Sequence, residues 1–119
     1  MRFSCSLKEN SQFRRLYRQG TTLADRYLAV YCRRNRLGIN RLGITVSGKL
    51  GCAVVRNKIR RRLRECYRLN EDRFSPGWDI VVVARHRAVS APYARLEESV
   101  LTLFGRLGLL AADPGEETT

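Results

Sequence analysis

Between residues 55 and 66 apolar side chains recur at Val55, Ile59, Leu63 and Cys66, and every position between them is polar. The i, i+4, i+8, i+11 spacing is one face of an α-helix, so an amphipathic helix is predicted from about 53 to 69. Residues 7–19 read as a first helix, with Phe13, Leu16 and Tyr17 on one face and Gly20 as its stop. Residues 26–34 alternate instead. Tyr27, Ala29 and Tyr31 point one way and Leu28, Val30 and Cys32 the other, the period of a strand with both faces occupied.

A second strand is expected over 42–47, with Leu42, Ile44 and Val46 on a common face. A hairpin across the basic connection 33–41 is the simplest pairing of the two. Gly48 to Gly51 breaks the chain ahead of the amphipathic helix, and Ser75-Pro76-Gly77 is a turn after it. Ile80-Val81-Val82-Val83 shows no alternation, which predicts a strand buried on both faces. A last helix starts near Ser90 or Ala91 and turns Leu96, Val100, Leu103, Phe104 and Leu107 inward. The order α-β-β-α-β-α, with room for one further short strand, makes a single-domain α/β sandwich over residues 1–112. Residues 113–119 read as a disordered acidic tail.

Charge changes this picture from a fold to a partner. The chain of 119 residues is 44% hydrophobic, enough for one ordinary core, yet carries a net charge of +12. Three of its eleven acids lie beyond residue 112 and no cation does, so the domain itself is more basic still. Seven cations and a single acid, Glu65, fall in the thirteen residues from Arg56 to Arg68. A solvated helix face laced with ion pairs would need more acids than that, and mutual repulsion would destabilise such a helix on its own. A polyanion partner fits, and arginine's planar fork suits phosphate. An anionic membrane surface fits less well, because Trp78 lies away from the helix, and no apolar run is long enough to span a bilayer.

The remaining motifs admit two readings each. Asn57, in the first turn, is either a tolerated polar residue or an amide reaching a phosphate, sugar or ion-bound water beside Arg56. Gly48-Lys49-Leu50-Gly51 matches the G-x-x-G of a KH domain, but that loop joins two helices, whereas this one leaves a strand. A strand-to-helix turn is the preferred reading, with Lys49 still free to meet phosphate. Phe13, Tyr17 and Tyr31 are either core or a surface on which single-stranded nucleic acid stacks.

Cys5, Cys32, Cys52 and Cys66 lack the close pairing of a zinc site, and a cytosolic protein with reduced thiols is expected. Catalytic chemistry is missing. His86 stands alone, and Glu9, Asp25, Glu65, Glu71 and Asp72 form no recognisable acid–base or two-metal pair. A binding protein follows. A small magnesium nuclease built on Glu71 or Asp72 and a ribosomal or KH-like RNA-binding module are the alternatives.

The spacing also carries a resemblance. Gly43-Ile44-Thr45-Val46-Ser47, Lys49, Gly51, Ala53-Val54, Arg56-Asn57, Arg60-Arg61 and Arg64-Glu65 are similar to the long "RNR" signature of the bacterial ribonuclease P protein subunit. Phe13, Tyr17, Gly20, Tyr31 and the Val-rich strand ending in Ala84-Arg85 stand in a matching register. Gly48 departs from the family's usual lysine, and Arg60 and Arg62 replace its frequent lysine and aliphatic residue.

The resemblance implies a ribosomal-protein-S5-domain-2-like fold with a left-handed βαβ crossover. It implies an accessory subunit, 1:1 with a catalytic RNA in the cytoplasm, of the ribozyme that removes the 5′ leader from precursor tRNA. Lys49, Arg56, Asn57, Lys58, Arg60, Arg61, Arg64 and Arg68 would bind that RNA, and Phe13, Tyr17 and Tyr31 would line a cleft for the leader. No protein residue would be catalytic and no cofactor would be bound by the protein alone. Mg2+ would act with the RNA.

Overall fold

A computed structural model describes residues 4–7 and 9–111. The proposed acidic tail, 113–119, lies outside the described residues. Five strands form one mixed sheet: β1 (Ser4–Ser6), β2 (Thr21–Ala24), β3 (Leu28–Arg34), β4 (Asn40–Thr45) and β5 (Trp78–Ala84). Three helices accompany them, α1 (Asn10–Gln19), α2 (Ala53–Asn70) and α3 (Tyr93–Arg106).

The strand order is β1-β4-β5-β3-β2. Here the expected hairpin gives way. β5 lies between β3 and β4, antiparallel to the first and parallel to the second. The unalternating apolar run explains this, because only a central strand buries both of its faces. Ile80 and Val82 face one core and Val81 the other, all 3% exposed or less. β4, α2 and β5 thus form a βαβ unit. The true hairpin is β2–β3, closed by Asp25, whose Oδ1 accepts from the Tyr27 and Leu28 amides at 2.8 and 2.9 Å.

Two short edge strands, not one, complete the sheet. β1 has three residues and β2 four, too few to show a period. Leu7 belongs with β1 and not with the first helix. Its amide donates to the Leu42 carbonyl at 2.9 Å, and α1 begins only at Asn10, with Glu9 as N-cap. β4 starts two residues earlier than expected, and α3 starts at Tyr93 with Pro92 as N-cap.

Alternation distributes the cores. Leu28, Val30, Cys32, Leu42, Ile80 and Val82 meet α2 and α3 in the larger one, through Ile59, Leu63, Cys66, Leu96, Val100, Leu103 and Phe104. Leu7, Leu16 and Val81, with half-buried Phe13, Tyr31 and Val83, form the smaller one beneath α1. Tyr27 parts company with Tyr31. It sits in the turn before β3 and packs against the larger core. Cys32 and Cys66 are buried as small hydrophobes, and burial pushes both thiols up to about 11. No helix among the described residues is long and apolar enough to cross a membrane.

Candidate nucleic-acid interface

The approach to α2 is a turn. β4 runs into a 3-10 turn, Gly48–Leu50, in which Ser47 Oγ accepts from the Lys49 amide at 3.2 Å and leaves the Lys49 side chain exposed. Gly51, with φ of +149°, turns the corner where an L side chain would be strained. The KH reading fails on this geometry, since the loop connects a strand to a helix.

On α2 itself the buried stripe is Ile59, Leu63, Cys66, Tyr67 and Asn70. Asn57, Lys58, Arg61 and Arg64 are exposed, and Arg56 and Arg60 are partly so. Three arginines of α2 are organised by neighbours in ways their type alone could not reveal. Arg60 Nη1 donates to Asn57 Oδ1 at 3.2 Å, so Asn57 aims an arginine. Arg62 Nη1 donates to the Ala91 carbonyl at 3.1 Å and ties α2 to the start of α3. Arg68 directs its fork at Glu65, at 3.0 and 2.5 Å, so among the described residues it is the one member of the expected RNA-binding set that forms an ion pair. Arg56 keeps its Nε buried without a hydrogen-bond partner.

The aromatic residues gather on the opposite face of the sheet. Gly43, Val81 and Tyr31 are adjacent across β4, β5 and β3. The Phe13 ring lies on Gly43 so closely that a Cβ there would stand 2.6 Å from two ring carbons. Only glycine gives the ring this seat. Tyr17 meets Tyr31 edge-on, with centroids 4.9 Å apart, and shares a 3.2 Å hydrogen bond with Thr45 Oγ1. Tyr17 remains 42% exposed, so one side of this cluster faces solvent.

The two sets meet at the sheet's edge. Among the described residues, β1 pairs with β4 only as far as Leu42, and no strand pairs with that edge of β4 beyond it. A groove of about 200 Å3 opens there, lined by Phe13 of α1, Arg60 and Arg64 of α2, Gly43 and Ile44 of β4, and the end of β1 with Leu7. Sequence periodicity could place each residue on its helix. It could not show that helices on opposite faces reach around one free strand.

No metal cage accompanies the groove: among the described residues no three His, Cys, Asp or Glu side chains are placed to hold an ion. Glu71, a candidate of the nuclease alternative, is buried at 8% exposure.

Cys52, the N-cap of α2, is an exposed thiol beside these arginines. The Val55 and Val54 amides, with help from Arg56, hold its pKa below the ordinary thiol range. Brief iodoacetamide treatment read by mass spectrometry is therefore expected to label Cys52 while sparing Cys32 and Cys66. Equal labelling of Cys32 in the native protein would contradict its burial.

Known proteins resemble this chain in sequence and in overall fold. The sequence matches the family model described as Ribonuclease P over residues 1–108. The ribonuclease P protein component of Clostridioides difficile is 40% identical over 101 residues, covering 84% of this chain and 89% of that one. That of Alkaliphilus oremlandii is 38% identical over 104 residues, covering 87% and 91%. The structure of the Staphylococcus aureus RNase P protein superposes with a TM-score of 0.83 at 34% identity, covering 89% of this chain and 97% of that one. The Thermotoga maritima protein gives 0.79 at 32% identity, covering 85% and 96%. In sequence and in overall fold, this chain belongs to the ribonuclease P protein family.

Proposed function

We propose that this chain is the protein subunit of a ribonuclease P holoenzyme and holds two parts of one reaction together. The exposed arginines of α2, with Lys49, Asn57 and Lys58, bind the phosphates of the catalytic RNA, one protein to one RNA. Phe13, Tyr17 and Tyr31 receive the single-stranded 5′ leader of precursor tRNA, whose bases stack on rings with a solvent-facing side. The observation that carries the reading is the groove across the β4 edge. It brings one ring of the aromatic cluster, Phe13, and two arginines of α2, Arg60 and Arg64, to a single groove.

The donor set of α2 supports a division of labour. A hard divalent cation needs several oxygen ligands, and α2 offers arginines and one carboxylate already engaged by Arg68. The magnesium ions and the hydrolysis they promote belong to the RNA subunit, and the protein orients substrate and screens phosphate repulsion. The product is the mature tRNA 5′ end, formed in the cytoplasm.

Discrimination between precursor and mature tRNA tests the leader cleft. Tyr31→Ala should lower the holoenzyme's preference for precursor over mature tRNA by about tenfold, given ~1–3 kcal/mol per stacked base. Gly43→Ala, which unseats Phe13, should act in the same direction. An unchanged preference in both variants would reject the cleft as the leader's site.

A further inference from the structure

Arginines also collect on the sheet face that carries α1, away from α2. Arg33 in β3 and Arg41 in β4 flank Asp79 of β5 in register. With Arg15 of α1 and Arg36 of the β3–β4 connection they line a cleft of about 580 Å3. Asp79, its one acidic lining residue, is already engaged. Its oxygens accept from Arg41 Nε and Nη2 at 2.7 and 2.6 Å and from Asn35 Nδ2 at 2.9 Å. Asn35 also accepts from the Leu37 amide at 2.8 Å and donates to the Ile39 carbonyl at 3.0 Å, which fixes the loop.

That fixed loop holds Arg36 at φ +61°, the single positive φ outside glycine among the described residues. The left-handed region is strained for an arginine. Here it adds a further cation to a crowded cleft. Arg15 borders a second depression too, shared with Arg14 and Arg18 on the outer side of α1. Among the described residues none of Arg14, Arg15, Arg18, Arg33 and Arg36 forms an ion pair.

We infer that Arg36, Arg33 and Arg15, continued by Arg14 and Arg18, form a second RNA-binding track, specific for the phosphodiester backbone and indifferent to base. Guanidinium forks match phosphate oxygens. No aromatic ring is among the residues lining the cleft, so it presents no stacking surface. The site is concave, with cations converging from a helix and a loop. A strand of phosphates can enter it, whereas a flat lipid headgroup layer would meet only its rim. Leu37 and Ile39, exposed at the loop tip, are the only apolar side chains there that a membrane could take up. Because α1 and α2 lie on opposite faces, one copy of the protein can hold two RNA segments at once. This inference rests on the proposed function only in taking RNA as the partner, and it requires nothing of the leader cleft.

The test uses the full chain, a 16-base-pair RNA duplex of arbitrary sequence and the RNA subunit, with affinity followed against salt. Arg15→Gln/Arg33→Gln/Arg36→Gln should reduce the salt slope on the duplex by about 3, one for each phosphate left without its cation. The lysine triple at the same positions should keep the slope, which separates lost charge from lost fold. The effect should add to that of Arg60→Gln/Arg64→Gln, as independent sites do. A wild-type slope in the glutamine triple overturns the inference. So does an unchanged slope accompanied by lost binding to phosphatidylglycerol vesicles, which would make the track a membrane surface. If Arg60→Gln/Arg64→Gln keeps full affinity for the RNA subunit while the glutamine triple loses duplex binding, the role proposed for α2 fails and this track stands.

Discussion

Arg60→Gln/Arg64→Gln is expected to weaken binding of the RNA subunit on the order of 100-fold at 0.1 M salt. Both side chains line the groove at the β4 edge, and neither has a carboxylate partner among the described residues. A charge-assisted hydrogen bond is worth about 1.5 kcal/mol at the low end, so two amount to ~3 kcal/mol, and each 1.4 kcal/mol is tenfold in affinity. Arg68→Gln is the internal control. Its fork engages Glu65 in the free protein, so leaving that partner offsets what an RNA phosphate would contribute, and the loss should be only a few-fold. Filter binding or fluorescence anisotropy would read both. A larger loss at Arg68 than at the pair would reverse the assignment of the RNA-facing side of the helix.

Tyr67→Ala should destabilise the protein by about 3–5 kcal/mol, the range for removing a large aromatic from a core. Tyr67 is 1% exposed and packs on Phe74 and Phe104, with ring centroids 4.9 and 6.4 Å away. Besides its packing, it ties the arginine helix to β1 and β4 by hydrogen bonds. Its hydroxyl accepts from Asn40 Nδ2 at 3.2 Å and shares a 2.7 Å hydrogen bond with Ser4 Oγ, while Asn40 Oδ1 accepts from the Trp78 amide at 2.9 Å. Asn40 is buried, so Tyr67→Phe should cost about 1–3 kcal/mol by leaving its amide unsatisfied. Against a total stability of about 5–15 kcal/mol, the alanine variant approaches global unfolding. Urea denaturation measures both. A cost under ~1 kcal/mol for Tyr67→Ala would mean that α2 is anchored elsewhere.

The parts of this fold that could be read from sequence are those with a local period. The stripe Ile59, Leu63 and Cys66, the doubly apolar Ile80–Val83 and the inward face of α3 each announced their element and their burial. Strand pairing was not legible in the same way. Residues 26–34 and 42–47 are neighbours along the chain, and only the need to cover both faces of β5 separates them in space. Tyr27 and Tyr31 share a parity that holds within a strand, but Tyr27 lies in the turn closed by Asp25, where parity has no meaning.

The site divides along the same line. The excess of cations on α2 was legible in composition. The seat of Phe13 on Gly43, the aiming of Arg60 by Asn57 and the engagement of Arg68 by Glu65 depend on side-chain geometry.

If the protein holds RNA and substrate while the RNA subunit cuts, reconstitution with precursor tRNA at low magnesium separates the two roles. The protein alone, repurified free of contaminating nuclease, should then leave the precursor intact. Adding it to the RNA subunit should raise cleavage well above that of the RNA by itself. Cleavage by the protein alone, or no acceleration of the RNA subunit, would contradict this division of labour.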